Sequence, residues 1–136
     1  MSDAELMRLA EEVAGRAYCP YSKFRVGAAV LSRAGGVYVG CNVENASYGL
    51  TICAERGAVM TGRAAEGEGF RIERVVLSLP DLVGEKLEAE GWPCGSCRQV
   101  LSEFADPEVG VLSGGGGGGP VFEKTMGELL PHCFRF

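Results

Sequence analysis

The chain has 136 residues, 18 acidic against 13 basic, for a formal net charge of -5 and a pI near 4.9. One core of this size buries roughly 68% of the unfolded surface, whereas two independent cores would each be too small, so a single domain over residues 1–136 is expected. Hydrophobic residues at 46% and charged residues at 23% exclude a disordered chain, and the acidic balance makes nucleic acid and anionic membrane poor partners.

No stretch approaches the ~20 apolar residues of a membrane helix. Met1 to Ala17 mixes acidic and basic residues where a secretion signal carries an unbroken apolar run, so a soluble cytoplasmic protein is expected. Six cysteines are too few for a disulfide scaffold. In a reducing compartment, closely spaced cysteines such as Cys94 and Cys97 point to metal binding or catalysis.

In chain order, Leu6, Leu9, Ala10, Val13, Ala14 and Ala17 recur at helical spacing over Ser2–Ala17, with charged residues on the other side. Pro20 interrupts that pattern. Phe24–Leu31 and Val37–Cys41 then read as a hairpin turning at Arg33, Ala34, Gly35 and Gly36. Ile52–Ala65 reads as a helix in which Gly57 suits close packing. Ile72–Leu79 is a β-branched strand, a helix runs from near Cys94 to about Phe104, and Val109–Leu112 and Val121–Phe122 are short strands. Thr125 to Leu130 closes the chain as a short helix, with Glu128 three residues after a Thr125 cap. This order implies an α/β fold: one mixed five-stranded sheet with helices on its faces. The run Gly114–Gly119 lacks the glycine directly before lysine that a phosphate loop requires, because Glu123 precedes Lys124; it reads as a loop between strands.

Cys53 opens one helix, and Cys94 and Cys97 open another. If those helix starts lie side by side, three thiolates meet around one ion. Structural zinc sites use four protein ligands. Cys19, Cys41 and Cys133 have no spacing that nominates a fourth, so the count matches a catalytic site with one open position. Zn²⁺ with three thiolates carries a formal surplus of negative charge, which helix N-termini and an arginine can offset. Arg56 and Arg98 both follow the cysteine motifs, and Arg56 is the favoured partner of a thiolate. Glu55 stands two residues after Cys53, where a carboxylate can shuttle protons without binding the metal. The sole histidine, His132, lies outside the motif.

Cys53-Ala54-Glu55-Arg56 with Pro93-Cys94-Gly95-Ser96-Cys97-Arg98-Gln99, preceded by Phe24-Arg25-Val26-Gly27-Ala28-Ala29 and by Asn42-Val43-Glu44-Asn45-Ala46-Ser47-Tyr48, resembles the short-chain, homotetrameric cytidine deaminases over nearly the whole chain. The resemblance implies the three-layer fold of that superfamily and hydrolytic deamination of cytidine and 2′-deoxycytidine to uridine and 2′-deoxyuridine, with release of ammonia, in pyrimidine salvage. It implies one zinc per subunit on Cys53, Cys94 and Cys97, with Glu55 as the proton carrier. Asn42 and Glu44 would take the ribose, Phe24 would pack on the base, and the Ala54 N–H would meet the base carbonyl. Tyr48 and Phe134 would enter a neighbouring subunit's pocket, so the active sites would be shared in a homotetramer.

Two features depart from the family pattern: Trp92 stands where a small hydroxyl residue is usual, and the glycine run replaces a shorter polar turn. Deamination of a cytosine-containing antibiotic nucleoside is a close variant, and a non-catalytic zinc module braced by the three cysteines is the competing class. An editing enzyme acting on nucleic acid would need a basic groove, against 13 basic and 18 acidic residues here.

Overall fold

In the computed structural model, which describes residues 1–136, the Ser2 hydroxyl accepts the Glu5 amide at 3.2 Å and starts helix α1 (Asp3–Ala14). There follow β1 (Gly27–Ser32), β2 (Val37–Cys41), α2 (Ala54–Glu66), β3 (Ile72–Ser78), α3 (Glu85–Glu90), α4 (Gly95–Ser102), β4 (Gly110–Gly114), β5 (Val121–Thr125) and α5 (Met126–Leu129). The strands form one sheet in the order β2-β1-β3-β4-β5. Only β3 and β4 pair in parallel; the other neighbours are antiparallel. The expected mixed five-stranded sheet is present.

Successive strand residues point to opposite faces, and here both faces are covered. Ala29, Val76 and Leu112 pack with Leu6, Met7 and Ala10 of α1. Their chain neighbours Ala28, Val75 and Val111 pack on the other side with Ala54 and Ala58 of α2 and Leu101 of α4. The result is a helix–sheet–helix sandwich, and burial of both faces is why β1, β3 and β4 read as continuous apolar runs rather than alternating ones.

Two glycines set the spacing of those layers. A Cβ on Gly27 would stand 2.0 Å from the Ala10 carbonyl oxygen, and one on Gly40 would stand 2.4 Å from that of Ala54, so α1 and α2 rest on bare backbone on opposite faces. The close packing expected at Gly57 is against this second strand: its added Cβ would lie 3.8 Å from the Gly40 Cα.

Several boundaries differ from the sequence reading for local reasons. β1 begins at Gly27 rather than Phe24, because the Phe24 and Val26 amides bond the Ser22 hydroxyl (3.0 Å) and the Asn42 side-chain oxygen (2.9 Å) instead of a strand. α1 stops at Ala14, and Arg16 and Ala17 continue only as a turn whose amides reach the Val13 and Ala14 carbonyls. α4 ends at Ser102 rather than near Phe104, as the Glu103 and Phe104 amides tighten onto the Val100 and Leu101 carbonyls. Helix α3 was not expected: its six residues hold one buried apolar side chain, Leu87, too few to display a period. The Thr125–Glu128 capping box is formed, with Glu128 N to Thr125 Oγ1 at 3.2 Å and Thr125 N to Glu128 Oε1 at 2.9 Å. The glycine run connects β4 to β5.

Candidate active site

The starts of α2 and α4 converge. Cys53 is the residue immediately before α2, Cys94 occupies the same position before α4, and Cys97 lies buried in the first turn of α4. Neither Cys53 nor Cys94 uses its side chain to cap its helix, so the sulfurs are left for another partner, and all three lie within 4.8 Å of one another. Sulfurs sharing a tetrahedral zinc at about 2.3 Å stand about 3.8 Å apart, so a group within 4.8 Å closes on that ion with side-chain shifts of about 1 Å or less. Three soft donors with no fourth protein ligand in the group suit zinc with an open coordination position.

The surroundings favour thiolate at Cys53. A hydrogen bond from Cys97 and the nearby Arg56 guanidinium hold the Cys53 thiol far below the ordinary thiol range; the same contact with Cys53, together with burial, pushes Cys97 up. One Arg56 nitrogen donates to the Thr51 carbonyl at 3.1 Å and stands 3.5 Å from the Cys53 sulfur. Its Nε is buried without a partner. Arg98 is committed elsewhere, donating to the Pro93 carbonyl at 2.7 Å and the Leu129 carbonyl at 2.8 Å.

Glu55, in the first turn of α2, is 5% exposed. Burial raises its carboxyl to about 7. It lines a cavity of about 320 Å³ together with Cys53, Cys94, Phe24, Asn42 and Glu44. Ala54 is also in this wall, and its main-chain N–H belongs to the first turn of α2, where amides have no acceptor within the helix.

Asn42 and Glu44 do reach the same cavity, with Val43 between them pointing outward. Both already have partners. Asn42 accepts the Val26 amide at 2.9 Å and donates to the Phe24 carbonyl at 2.7 Å. Glu44 accepts the Tyr21 and Ser22 amides at 3.1 Å each, and the Ser22 hydroxyl. These two side chains therefore clamp the segment that carries Phe24, leaving one Asn42 N–H and spare carboxylate lone pairs for anything bound.

Tyr48 is 80% exposed and lines an adjoining outer cavity of about 270 Å³, which shares Ser22, Glu44 and Thr51 with the first. Phe134 lies outside its own chain's cavity. It is 64% exposed, stacks edge-on with Phe136 at 5.3 Å between ring centres, and its carbonyl accepts from Gln99 at 3.2 Å. Sequence reasoning did not find Ser22, Thr51 or Glu90 as cavity residues, nor the floor formed by Leu77 and Leu79. The β-branched run and Pro80 mark the end of β3, but nothing in the sequence says which side of it faces a cavity.

An open three-sulfur metal position beside a buried acid, at the helix starts of a three-layer α/β sandwich, defines a zinc-dependent hydrolytic enzyme. Residues 1–113 match the family model of the cytidine and deoxycytidylate deaminase zinc-binding region, and the chain belongs to that family. It is 44% identical over 118 residues to the cytidine deaminase of Halalkalibacterium halodurans, covering 87% of this chain and 83% of that one. It is 37% identical over 134 residues to that of Sporosarcina psychrophila, covering 98% and 92%. The crystal structure of cytidine deaminase from Burkholderia pseudomallei superposes with a TM-score of 0.82 at 37% identity, covering 98% of this chain and all of the other.

Proposed function

We propose that the protein converts cytidine and 2′-deoxycytidine to uridine and 2′-deoxyuridine by hydrolysis, releasing ammonia, with one zinc per subunit and a role in pyrimidine salvage. The observation that carries this reading is the three-sulfur group within 4.8 Å, two of whose cysteines, Cys53 and Cys94, line one cavity with Glu55, Asn42 and Glu44.

Cys53, Cys94 and Cys97 would hold zinc, which when bound would supply the Lewis acidity that makes water a nucleophile at neutral pH. Glu55 takes a proton from the attacking water, delivers it to N3 of the base, and carries the second water proton to the 4-amino group, which leaves as ammonia. Cytidine and water thus yield uridine and ammonia with every proton accounted for. Such transfers contribute about 10²- to 10⁴-fold to rate. Burial at 5% exposure keeps Glu55 from exchanging its protons freely with solvent. Arg56 offsets the surplus thiolate charge.

At the base, the Phe24 ring supplies an apolar wall, and the Ala54 N–H, at the positive end of α2, meets the base carbonyl. Asn42 and Glu44 hold the ribose with the hydrogen-bonding capacity left over from clamping residues 21–26. The small acidic chain suits a free nucleoside rather than a polynucleotide. No helix is long and apolar enough to cross a membrane, and we place the protein in the cytoplasm.

Residues 1–136 act as one domain in a homotetramer, in which Tyr48 and Phe134 complete a neighbour's pocket. The exposure of Tyr48 at 80%, Leu50 at 65% and Phe134 at 64% supports an interface there. Purified zinc-loaded protein incubated with cytidine should yield uridine and ammonia in equal amounts. Full zinc occupancy without uridine would favour a site that only braces the fold.

A further inference from the structure

Trp92 has its one polar atom fully used. Its indole N–H donates to the Glu88 carbonyl at 2.7 Å, and the Lys124 ammonium stands 5.5 Å from the ring centre. Trp92 lines the 320 Å³ cavity and Lys124 does not, so the cation covers the ring from outside it. The preceding residue is fixed as well: the Gly91 amide donates to the Leu87 carbonyl at 2.9 Å, and its own carbonyl accepts the buried Ser113 hydroxyl of β4. Pro93, on the other side, is buried. The ring is therefore an immobilised apolar wall, held from α3, β4 and β5, with no donor or acceptor free for a bound molecule.

Its place along the cavity follows from what the two cavities share. Ser22, Glu44 and Thr51 line both the inner and the outer one, whereas Cys94, Glu90 and Trp92 line only the inner. Ser22 and Glu44 thus mark the outer end. Trp92 lines only the inner cavity, as does Cys94, whose Cα is within about 7 Å of its own, and this shared lining sets Trp92 at the sulfur end. In the reaction proposed above, on which this inference rests, that end receives the base carbon bearing the amine. The ring position next to it is C5.

We propose that Trp92 determines substrate specificity by rejecting cytosine nucleosides that carry a substituent at C5, beside the departing amine. A fixed apolar wall reads size alone. A well-packed wall yields poorly to an added methyl group, and discrimination of tenfold or more by one methyl is within the range of apolar pockets.

Trp92 is the only tryptophan, so its emission reports on the wall without relying on catalysis. Zinc-loaded protein is titrated with uridine and with 5-methyluridine while tryptophan emission is followed, and binding of each is measured in parallel by calorimetry. Uridine should change the emission saturably, and 5-methyluridine should need at least tenfold higher concentration. In Trp92→Ser, the kcat/KM for 5-methylcytidine relative to cytidine should rise tenfold or more, and in Trp92→Phe by less. Calorimetric binding of uridine with unchanged emission, equal affinity for the two products, or an unaltered ratio in both variants would overturn the proposal. If neither variant folds, the two titrations of the unaltered protein decide the matter alone. If emission discriminates between the products but cytidine is not consumed, the assigned reaction fails while the wall stands.

Discussion

Arg56 bridges a main-chain carbonyl and a sulfur: one guanidinium nitrogen lies 3.1 Å from the Thr51 oxygen and 3.5 Å from the Cys53 Sγ. The carbonyl contact fixes the side chain so that its charge faces the thiolate. Replacing Arg56 by Gln keeps a donor but removes the charge, and three thiolates around Zn²⁺ then have one fewer compensating cation. Zinc affinity, measured by competition with a chromogenic chelator, should fall about 10- to 100-fold, as is typical when a partner of a metal ligand is lost. Unchanged affinity would assign the compensation to the two helix N-termini alone.

Glu55 shares the cavity with Cys53 and Cys94 and is not a member of the metal-binding group. Glu55→Gln preserves shape and removes the proton carrier. Turnover of cytidine should drop by about 10²- to 10⁴-fold, while zinc content by elemental analysis stays at one per subunit. Near-normal turnover would remove Glu55 from the proton transfers.

Asn42 is 8% exposed and spans two main-chain groups that no strand satisfies. Truncation to Ala leaves the part-buried Val26 amide and Phe24 carbonyl without their partners, at a cost of about 1 kcal/mol for each hydrogen bond lost where water can enter. Thermal unfolding should move down accordingly, and KM for cytidine should rise because Phe24 loses its support. A higher KM with unchanged thermal stability would mean that Asn42 acts on the ribose and not on the chain.

How much of this was legible in the sequence depends on whether a residue's role is carried by spacing. Cys53, Cys94 and Cys97 were readable because two helix starts and a two-residue gap dictate where sulfurs can meet. The sheet was readable from its apolar runs, β-branched in β3. α3 was not, because six residues with a lone Leu87 show no period. The clamping of residues 21–26 by Asn42 and Glu44 was also hidden, since it depends on contacts 16 to 23 positions apart in the chain. Nor does any local pattern reveal that Gly27 and Gly40 lie beneath the two helices; only the packed layers make their missing side chains necessary.

Acid stability offers a separate check on the outer ion pairs. Arg74 hydrogen-bonds Asp3 of α1 at 2.9 and 2.8 Å and Glu123 of β5 at 2.8 Å, and the Arg74 contact holds the Asp3 carboxyl below its ordinary 3.8. A carboxylate depressed in the folded state stabilises it above the unfolded value and loses that contribution as pH falls through the folded value. Arg74→Met should therefore be less stable than the unaltered protein at pH 6, by about 1 kcal/mol or less for so exposed a network. The gap should shrink as the pH is lowered towards 3. Urea unfolding of both proteins across that range measures it, and a gap independent of pH would show that Arg74 contributes only through packing.

X-ray absorption at the zinc edge of the purified protein examines the metal position itself. Three sulfur scatterers at about 2.3 Å and one oxygen or nitrogen scatterer at about 2.0 Å are expected, with Cys97→Ala losing the metal. Four sulfur scatterers, or full zinc occupancy in Cys97→Ala, would contradict an open three-cysteine site.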